Sequence, residues 1–262
     1  MKRVAVISTN DNLDYLFYLP LVIEGWYKLG YDVHVFYHGK TEPLELSMDV
    51  ITNLSNKYDR DTDVHFIQSI DGIDDVTLIQ CSRLFAGYFY RGTDTRIITS
   101  DIDMLVVKDI FLDKGNVDVY GHDLTGFKQV PMCYVSATAD RWWNMMGLDE
   151  HIDLQANMAM VIRQEPFHNS CYGHEKWATD QEILTKKLAG QFSYTHERGI
   201  EPGSFLPKGR LDRYNWVYPN SELIDVHLPR NPLNEYGKLV TLAGEWFKDY
   251  FDKFKEYATS TK

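Results

Sequence analysis

"RIITSDIDMLVV", residues 96–107, decides how this chain reads. Its run of Ile, Thr, Val and Leu predicts a buried strand. Asp101 and Asp103 interrupt the run two residues apart, and on an extended chain such side chains point the same way. Two carboxylates about 4 Å apart at an effective dielectric of about 20 repel by roughly 4 kcal/mol. A cation facing the pair removes that cost, so the stretch predicts a strand that ends at a cation-binding turn.

The residues before it repeat a simple alternation. "RVAVIST" (3–9) is a β-branched apolar run closed by the polar "TNDN" (9–12). Residues 13–29 carry helical periodicity up to Gly30, with Pro20 predicting a kink or a break into two shorter helices. "YDVHVFYHG" (31–39) reads as a second strand, residues 44–57 as a helix and "VHFIQSI" (64–70) as a third strand. "DDVTLIQCSRLFAGYFY" (74–90) is a helix opened by Asp74 or Asp75. Four strands separated by helices predict an α/β fold with a central, mostly parallel sheet flanked by helices. Ligands of such sheets bind beyond the carboxyl ends of the strands, where "TNDN", "YHGK" and "SDID" all fall.

Beyond residue 107 the alternation loosens. "VDVYGHD" (117–123) and "VPMCYVSAT" (130–138) predict strands, "DRWWNMMG" (140–147) a short helix and "TDQEILTKKLAG" (179–190) a helix capped by Thr179. "EPGSFLPKGRLDRYNWVYPNSE" (201–222) is loop-like. "EWFKDYFDKFKEYA" (245–258) predicts an amphipathic helix with Trp246, Tyr250, Phe254 and Tyr257 on one face. Its polar face lacks the cationic excess of a helix that binds anionic lipid, so it is expected to pack on the protein. No repeat or linker divides the 262 residues, which read as a single domain, 1–262, in two halves, 1–110 and 111–262.

Bulk properties narrow the function. A formal charge of −11 argues against a nucleic-acid partner. An anionic small substrate remains compatible with it, because a bound divalent cation inverts the local field. The three cysteines, Cys81, Cys133 and Cys171, form neither a disulfide framework nor a zinc pair. Together with the absence of a secretory leader or a membrane-spanning stretch, they lead us to expect a soluble, cytoplasmic protein.

"CSRLFAGYFYRGTDTRIITSDIDMLVVKDI", residues 81–110, resembles the core of GT-A (Rossmann-like) glycosyltransferases, most of all the glycogenin/galactosyltransferase-like, family 8-like group with its Asp-X-Asp motif. The resemblance implies that residues 1–110 bind a nucleotide sugar and 111–262 an acceptor. It implies Asp103 as a ligand of Mn²⁺ or Mg²⁺, Asp101 as a ligand of the metal or the donor ribose, and Arg83 as a donor contact. "TNDNLDY" looks like the family's uridine-binding opening, which makes Thr9, Asp11 and Tyr15 donor-binding candidates. A third metal ligand is implied near the end of the chain, at His227 in "ELIDVHLPRNP" (222–232), with Arg230 ahead of Lys238 as the diphosphate clamp. The family's usual glycine and lysine after that histidine are missing.

"GHEKWATDQEIL" (173–184) resembles the family's Trp-X-X-Asp-Gln segment. Asp180 and Gln181 are thereby candidates for the catalytic face of the donor sugar, and Glu175 for the acceptor side. "VPMCYVSATADRWW" (130–143) looks like the region that builds the acceptor subsite, with Ser136, Thr138 and Trp143. The expected partners are a nucleotide sugar, best a UDP-sugar, and a glycan or glycoconjugate hydroxyl, with retention favoured on resemblance. Two other readings stay open: an Asp-X-Asp phosphohydrolase and a non-catalytic nucleotide-binding module. A sugar nucleotidyltransferase would want a glycine-rich loop after the first strand, and "STNDN" has no glycine.

Overall fold

The computed structural model describes residues 1–111, 116–120, 130–164, 179–188, 193–194, 208–214, 216–219 and 222–261. The first half is β1 (Lys2–Asn10), α1 (Leu13–Leu16), α2 (Leu19–Lys28), β2 (Asp32–His38), α3 (Thr41–Tyr58), β3 (Thr62–Phe66), α4 (Asp75–Ser82), α5 (Gly87–Tyr90) and β4 (Thr95–Ser100). β5 (Met104–Val106), β6 (Val117–Val119), β7 (Val135–Thr138), α6 (Ala139–Met146), α7 (Leu154–Arg163), α8 (Thr179–Leu188) and β8 (Ser193–Tyr194) follow. The described residues end with β9 (Arg210–Leu211), β10 (Asp225–His227), α9 (Tyr236–Leu239) and α10 (Phe247–Ser260).

The local chemistry explains most boundaries. Pro20 sits in the first turn of α2, where its missing N–H costs nothing, and the expected break falls just before it. Gly30 takes φ +81° after α2 and its N–H returns to the Tyr27 carbonyl at 2.9 Å. Asp74, and not Asp75, caps α4 by accepting from the Thr77 amide at 3.3 Å. The expected helix over 74–90 divides into α4, a 3₁₀ turn at Arg83–Phe85 and α5. α7 was not anticipated, although Asp153 caps it by accepting from the Ala156 amide at 2.7 Å.

The main sheet runs β3-β2-β1-β4-β7-β6-β8, with β1 through β4 mutually parallel and β7 antiparallel to both its neighbours. Both faces are covered, which is why β1 is apolar without alternation. Ala5 and Ile7 face a core shared with α2, α3 and α10, while Val4 and Val6 face one shared with α4, α6, α7 and α8. α10 packs as expected on the protein, but its buried stripe is Phe247, Tyr250, Phe251, Phe254 and Ala258. Trp246 sits half-buried, its indole N–H donating to Glu24 Oε2 at 3.1 Å. Among the described residues no helix is long and apolar enough to cross a membrane.

Strand order reverses between β1 and β4, and the crevice beyond their carboxyl ends is the position where such folds hold ligands. A small second sheet, β5-β10-β9, lies there. Its first strand begins directly after Asp103, so the sheet is built onto the turn that carries both aspartates.

Candidate active site

β4 delivers Asp101 at its carboxyl end, and two neighbours close around it. Arg83, in the 3₁₀ turn after α4, donates through Nη1 to Asp101 Oδ1 and to the Ser100 carbonyl, and through Nη2 to Asp180 Oδ2 at 2.6 Å. Asp180 lies in the first turn of α8, where one of its oxygens also accepts the Gln181 amide at 2.8 Å. Arg83 and Asp180 are buried, and Asp101 keeps a third of its side chain in solvent.

One guanidinium thus serves two carboxylates, and the two respond differently. Burial pushes Asp180 above the ordinary carboxylate range, and the Asp101 charge adds to it against the pull of Arg83. Burial acts the same way on Asp101, but the Arg83 guanidinium and the Cys133 thiol bring its pKa below the usual value. For Arg83, burial opposes the charge, and the two carboxylates override it and keep the group protonated.

Asp103 belongs to a second cluster. In the small sheet β10 runs antiparallel to β5 with His227 opposite Met104, and the Leu228 amide donates to the Asp103 carbonyl at 2.8 Å. That register brings His227 Nε2 to 3.9 Å from Asp103 Oδ2. β9 lies parallel to β10, so the two residues after it, Asp212 and Arg213, arrive beside His227. Asp212 Oδ2 accepts from His227 Nδ1 at 3.3 Å, and Arg213 Nη2 donates to both Asp103 Oδ2 and His227 Nε2. Burial alone would raise the Asp212 carboxyl; the His227 contact and the Tyr214 amide hold it below its ordinary value.

The structure therefore brings together Asp101, Asp103, Arg83, Asp180, Gln181 and His227. Tyr15 joins them: burial and the Asp103 charge raise its phenol, while Arg213 and Arg230 counter that rise. Arg230 is exposed, and its charge acts on Tyr15. Thr9 is buried at the end of β1, and Asp11 is turned toward the β2–α3 turn, where its Oδ2 accepts the Lys40 amide at 3.3 Å. Of the three expected metal ligands, Asp103 and His227 approach each other, while Asp101 pairs with Arg83. Among the described residues no three His, Cys, Asp or Glu side chains are grouped as a metal cluster. Asp103 and the Nε2 lone pair of His227 still fit a divalent ion, since both already converge on one cation, the Arg213 guanidinium.

The expected acceptor residues are not brought here, which corrects that part of the sequence reading. β7 runs antiparallel to β4, pairing Ser136 with Ile98 and Thr138 with Arg96. Thr138 therefore emerges about 16 Å from Asp101, at the opposite end of the sheet. Ser136 is buried and accepts from Arg96 Nε at 2.8 Å, and Thr138 caps α6 by accepting the Arg141 amide at 3.2 Å. Trp143 lies under the Arg91 guanidinium, 4.3 Å from its ring centre, and stacks on Tyr88. A surface depression of about 280 Å³ at that end is lined by Arg91, Gly92, Asp140, Trp143 and Asn144, well away from the aspartate turn. Glu175 lies outside the described residues. Asp212 and Arg213 had no local signal: they sit in a stretch that reads as loop, and the partner of Arg213 is 110 residues away.

No protein-family model and no curated protein matches the chain. Solved structures do. The glycosyltransferase GlyE of Streptococcus pneumoniae TIGR4 is similar with a TM-score of 0.56 and 12% identity, over 98% of this chain and 64% of its own. The bifunctional glycosyltransferase WbbM gives 0.54 and 13%, over 96% of this chain and 51% of its own. The chain thus spans about half to two thirds of the length of these two. The galactosyltransferase LgtC, solved with donor and acceptor sugar analogs, gives 0.50 and 14% over 95% of each chain. At these identities the likeness is one of fold, and the chain, with its mostly parallel, helix-flanked sheet, has the GT-A fold of these glycosyltransferases.

Proposed function

We propose that the protein is a glycosyltransferase that moves a sugar from a nucleotide-sugar donor, a UDP-sugar, to a hydroxyl of a glycan or glycoconjugate. The observation that carries this reading is the meeting of Asp101, Asp103, Arg83, Asp180 and His227, from four separate segments, at the point where strand order reverses. Asp103 and His227 would hold a Mn²⁺ or Mg²⁺ ion, whose charge, when bound, stabilises a diphosphate leaving group. Arg83 fixes Asp101 and Asp180 relative to each other and keeps both carboxylates on the donor side. Arg230, exposed beside Tyr15, is placed to meet the diphosphate. GT-A neighbours whose names carry sugar transfer support the assignment.

Both Asp180 oxygens already accept hydrogen bonds, Oδ2 from Arg83 and Oδ1 from the Gln181 amide, which suits the group to facing positive charge better than to taking a proton from an acceptor hydroxyl. That supports retention, with Asp180 and Gln181 lining the oxocarbenium-like centre. The Arg83 contact with Asp101 disfavours the phosphohydrolase reading, which needs a free aspartate nucleophile. Cys81 and Cys133 are free thiols, which fits the cytoplasm we assign to the protein.

The experiment is a panel of nucleotide sugars with Mn²⁺ or EDTA, read by thermal unfolding and by release of nucleoside diphosphate, on wild type and Asp103→Ala. Metal-dependent stabilisation and UDP release by one donor, both lost in the variant, are expected. A panel in which no nucleotide shifts Tm and none is consumed would sink the proposal.

A further inference from the structure

Two arginines of the small sheet offer a contrast. Arg210 makes a matched fork with Asp225, Nε to Oδ1 at 3.0 Å and Nη2 to Oδ2 at 2.9 Å, and the Tyr134 hydroxyl completes the carboxylate at 3.2 Å. This pair is built as a permanent structural contact. Arg213, three residues on, is as deeply placed, with 5% of its side chain exposed. Yet one of its nitrogens, Nη2, serves both Asp103 and His227, and its Nε is buried with no hydrogen-bond partner among the described residues. A guanidinium presents five donors, and this one uses them badly.

Its acceptors are also unusual for a structural arginine. With Asp212 accepting from Nδ1, His227 is held as the tautomer that carries its lone pair on Nε2. A carboxylate oxygen and an imidazole lone pair aimed at one point, with a second carboxylate behind the imidazole, are the donor set and backing of a metal ligand pair. Arg213 occupies the point on which they converge.

We propose that Arg213 is an exchangeable internal cation: in the donor-free protein it closes Asp103 and His227, and a divalent ion displaces it only when a nucleoside diphosphate arrives to share the ion's coordination. The inference rests on the reading of this site as a nucleotide-sugar site. It gives that site an order of binding, because free metal must compete with a tethered positive charge, whereas metal with diphosphate brings additional ligands and offers the displaced guanidinium an anion.

The test is Mn²⁺ binding without nucleotide, by titration calorimetry, to wild type, Arg213→Gln and Arg213→Gln/Asp103→Asn. The glutamine variant is expected to bind Mn²⁺ at least about tenfold tighter than wild type, and the double variant to lose that gain. Equal or weaker binding by Arg213→Gln, or a gain that survives in the double variant, overturns the proposal. Should Arg213→Gln not fold, the ¹⁵N resonance of His227 Nε2 in the wild type decides: Mg²⁺ with UDP must shift it and Mg²⁺ alone must not. A shift with Mg²⁺ alone, or none with both, rejects the lock. The glycosyltransferase reading fails separately, if no donor is consumed or bound while the tighter Mn²⁺ binding of Arg213→Gln stands.

Discussion

The Asp212 carboxylate accepts the Nδ1–H of His227 at 3.3 Å, and this contact decides which nitrogen of the ring faces Asp103. β9 and β10 hold the two residues side by side, and Asp212 is itself fixed by the Tyr214 amide at 3.0 Å. The tautomer of His227 is therefore set from the side of the ring that faces away from Asp103.

Replacing Asp212 with Asn keeps the shape but removes the charge and frees the ring to flip. Metal affinity is expected to fall by about 10–100-fold, the usual effect of losing such a backing carboxylate. The Mn²⁺ concentration for half-maximal stabilisation, measured with saturating UDP, checks this. Unchanged Mn²⁺ dependence would mean that Asp212 only packs.

Arg83 is the shared counter-ion of the buried Asp180 and of Asp101, a third of which is exposed. Arg83→Met leaves both without it, at an expected cost of about 3–5 kcal/mol in unfolding free energy by urea titration. Adding Asp180→Asn to that variant removes one stranded charge and should recover part of the loss. A double variant no more stable than Arg83→Met would show that Asp180 draws its support from elsewhere.

Gly25 of α2 lies directly under β5. A Cβ there would come within 2.8 Å of both Leu105 Cδ1 and the Val106 carbonyl. Alanine is the better helix former by about 1 kcal/mol, yet the overpacking is expected to outweigh it and leave Gly25→Ala about 1–3 kcal/mol less stable. Because β5 starts one residue after Asp103, the displaced strand should also weaken Mn²⁺–UDP binding. A stabilised variant with intact binding would refute this account of the glycine.

Most of the first 107 residues are legible because their elements follow from a local pattern: a β-branched run, a capping aspartate, a glycine after a helix; the division of 74–90 at the Arg83 turn does not. The aspartate turn is legible for the same reason, since like charges in an apolar strand call for a cation wherever the rest of the chain lies. That His227 lies beside Asp103 could be reached only through resemblance, as it depends on the pairing of β10 with β5, which no spacing encodes. Ser136, Thr138 and Trp143 were misplaced because the direction of a strand is not written in its composition. β7 turns out antiparallel, and everything after it leaves at the wrong end. Arg213 was hidden by distance along the chain, although a charged residue buried in an apparent loop is the kind of feature that only tertiary structure can expose.

His34 gives a test that is independent of catalysis. Its ring is buried on β2 against Phe36, Phe89 and His65, with Nδ1 3.3 Å from the Tyr90 hydroxyl and Nε2 unpartnered among the described residues. Burial, aided by His65, lowers its pKa from 6.5 to about 4. The folded state refuses a proton that the unfolded chain accepts below pH 6.5, so stability falls as the pH drops and the loss is complete near pH 4. Over that window the penalty is about 3 kcal/mol, at 1.36 kcal/mol per unit. His34→Phe removes the titrating group and keeps the aromatic packing. Urea unfolding at pH 7 and at about pH 4.5 should therefore show a variant that is near wild type at neutral pH and more stable in acid. If the two proteins lose stability in parallel as the pH falls, His34 takes its proton in the folded state, and its pocket is wetter than its burial suggests.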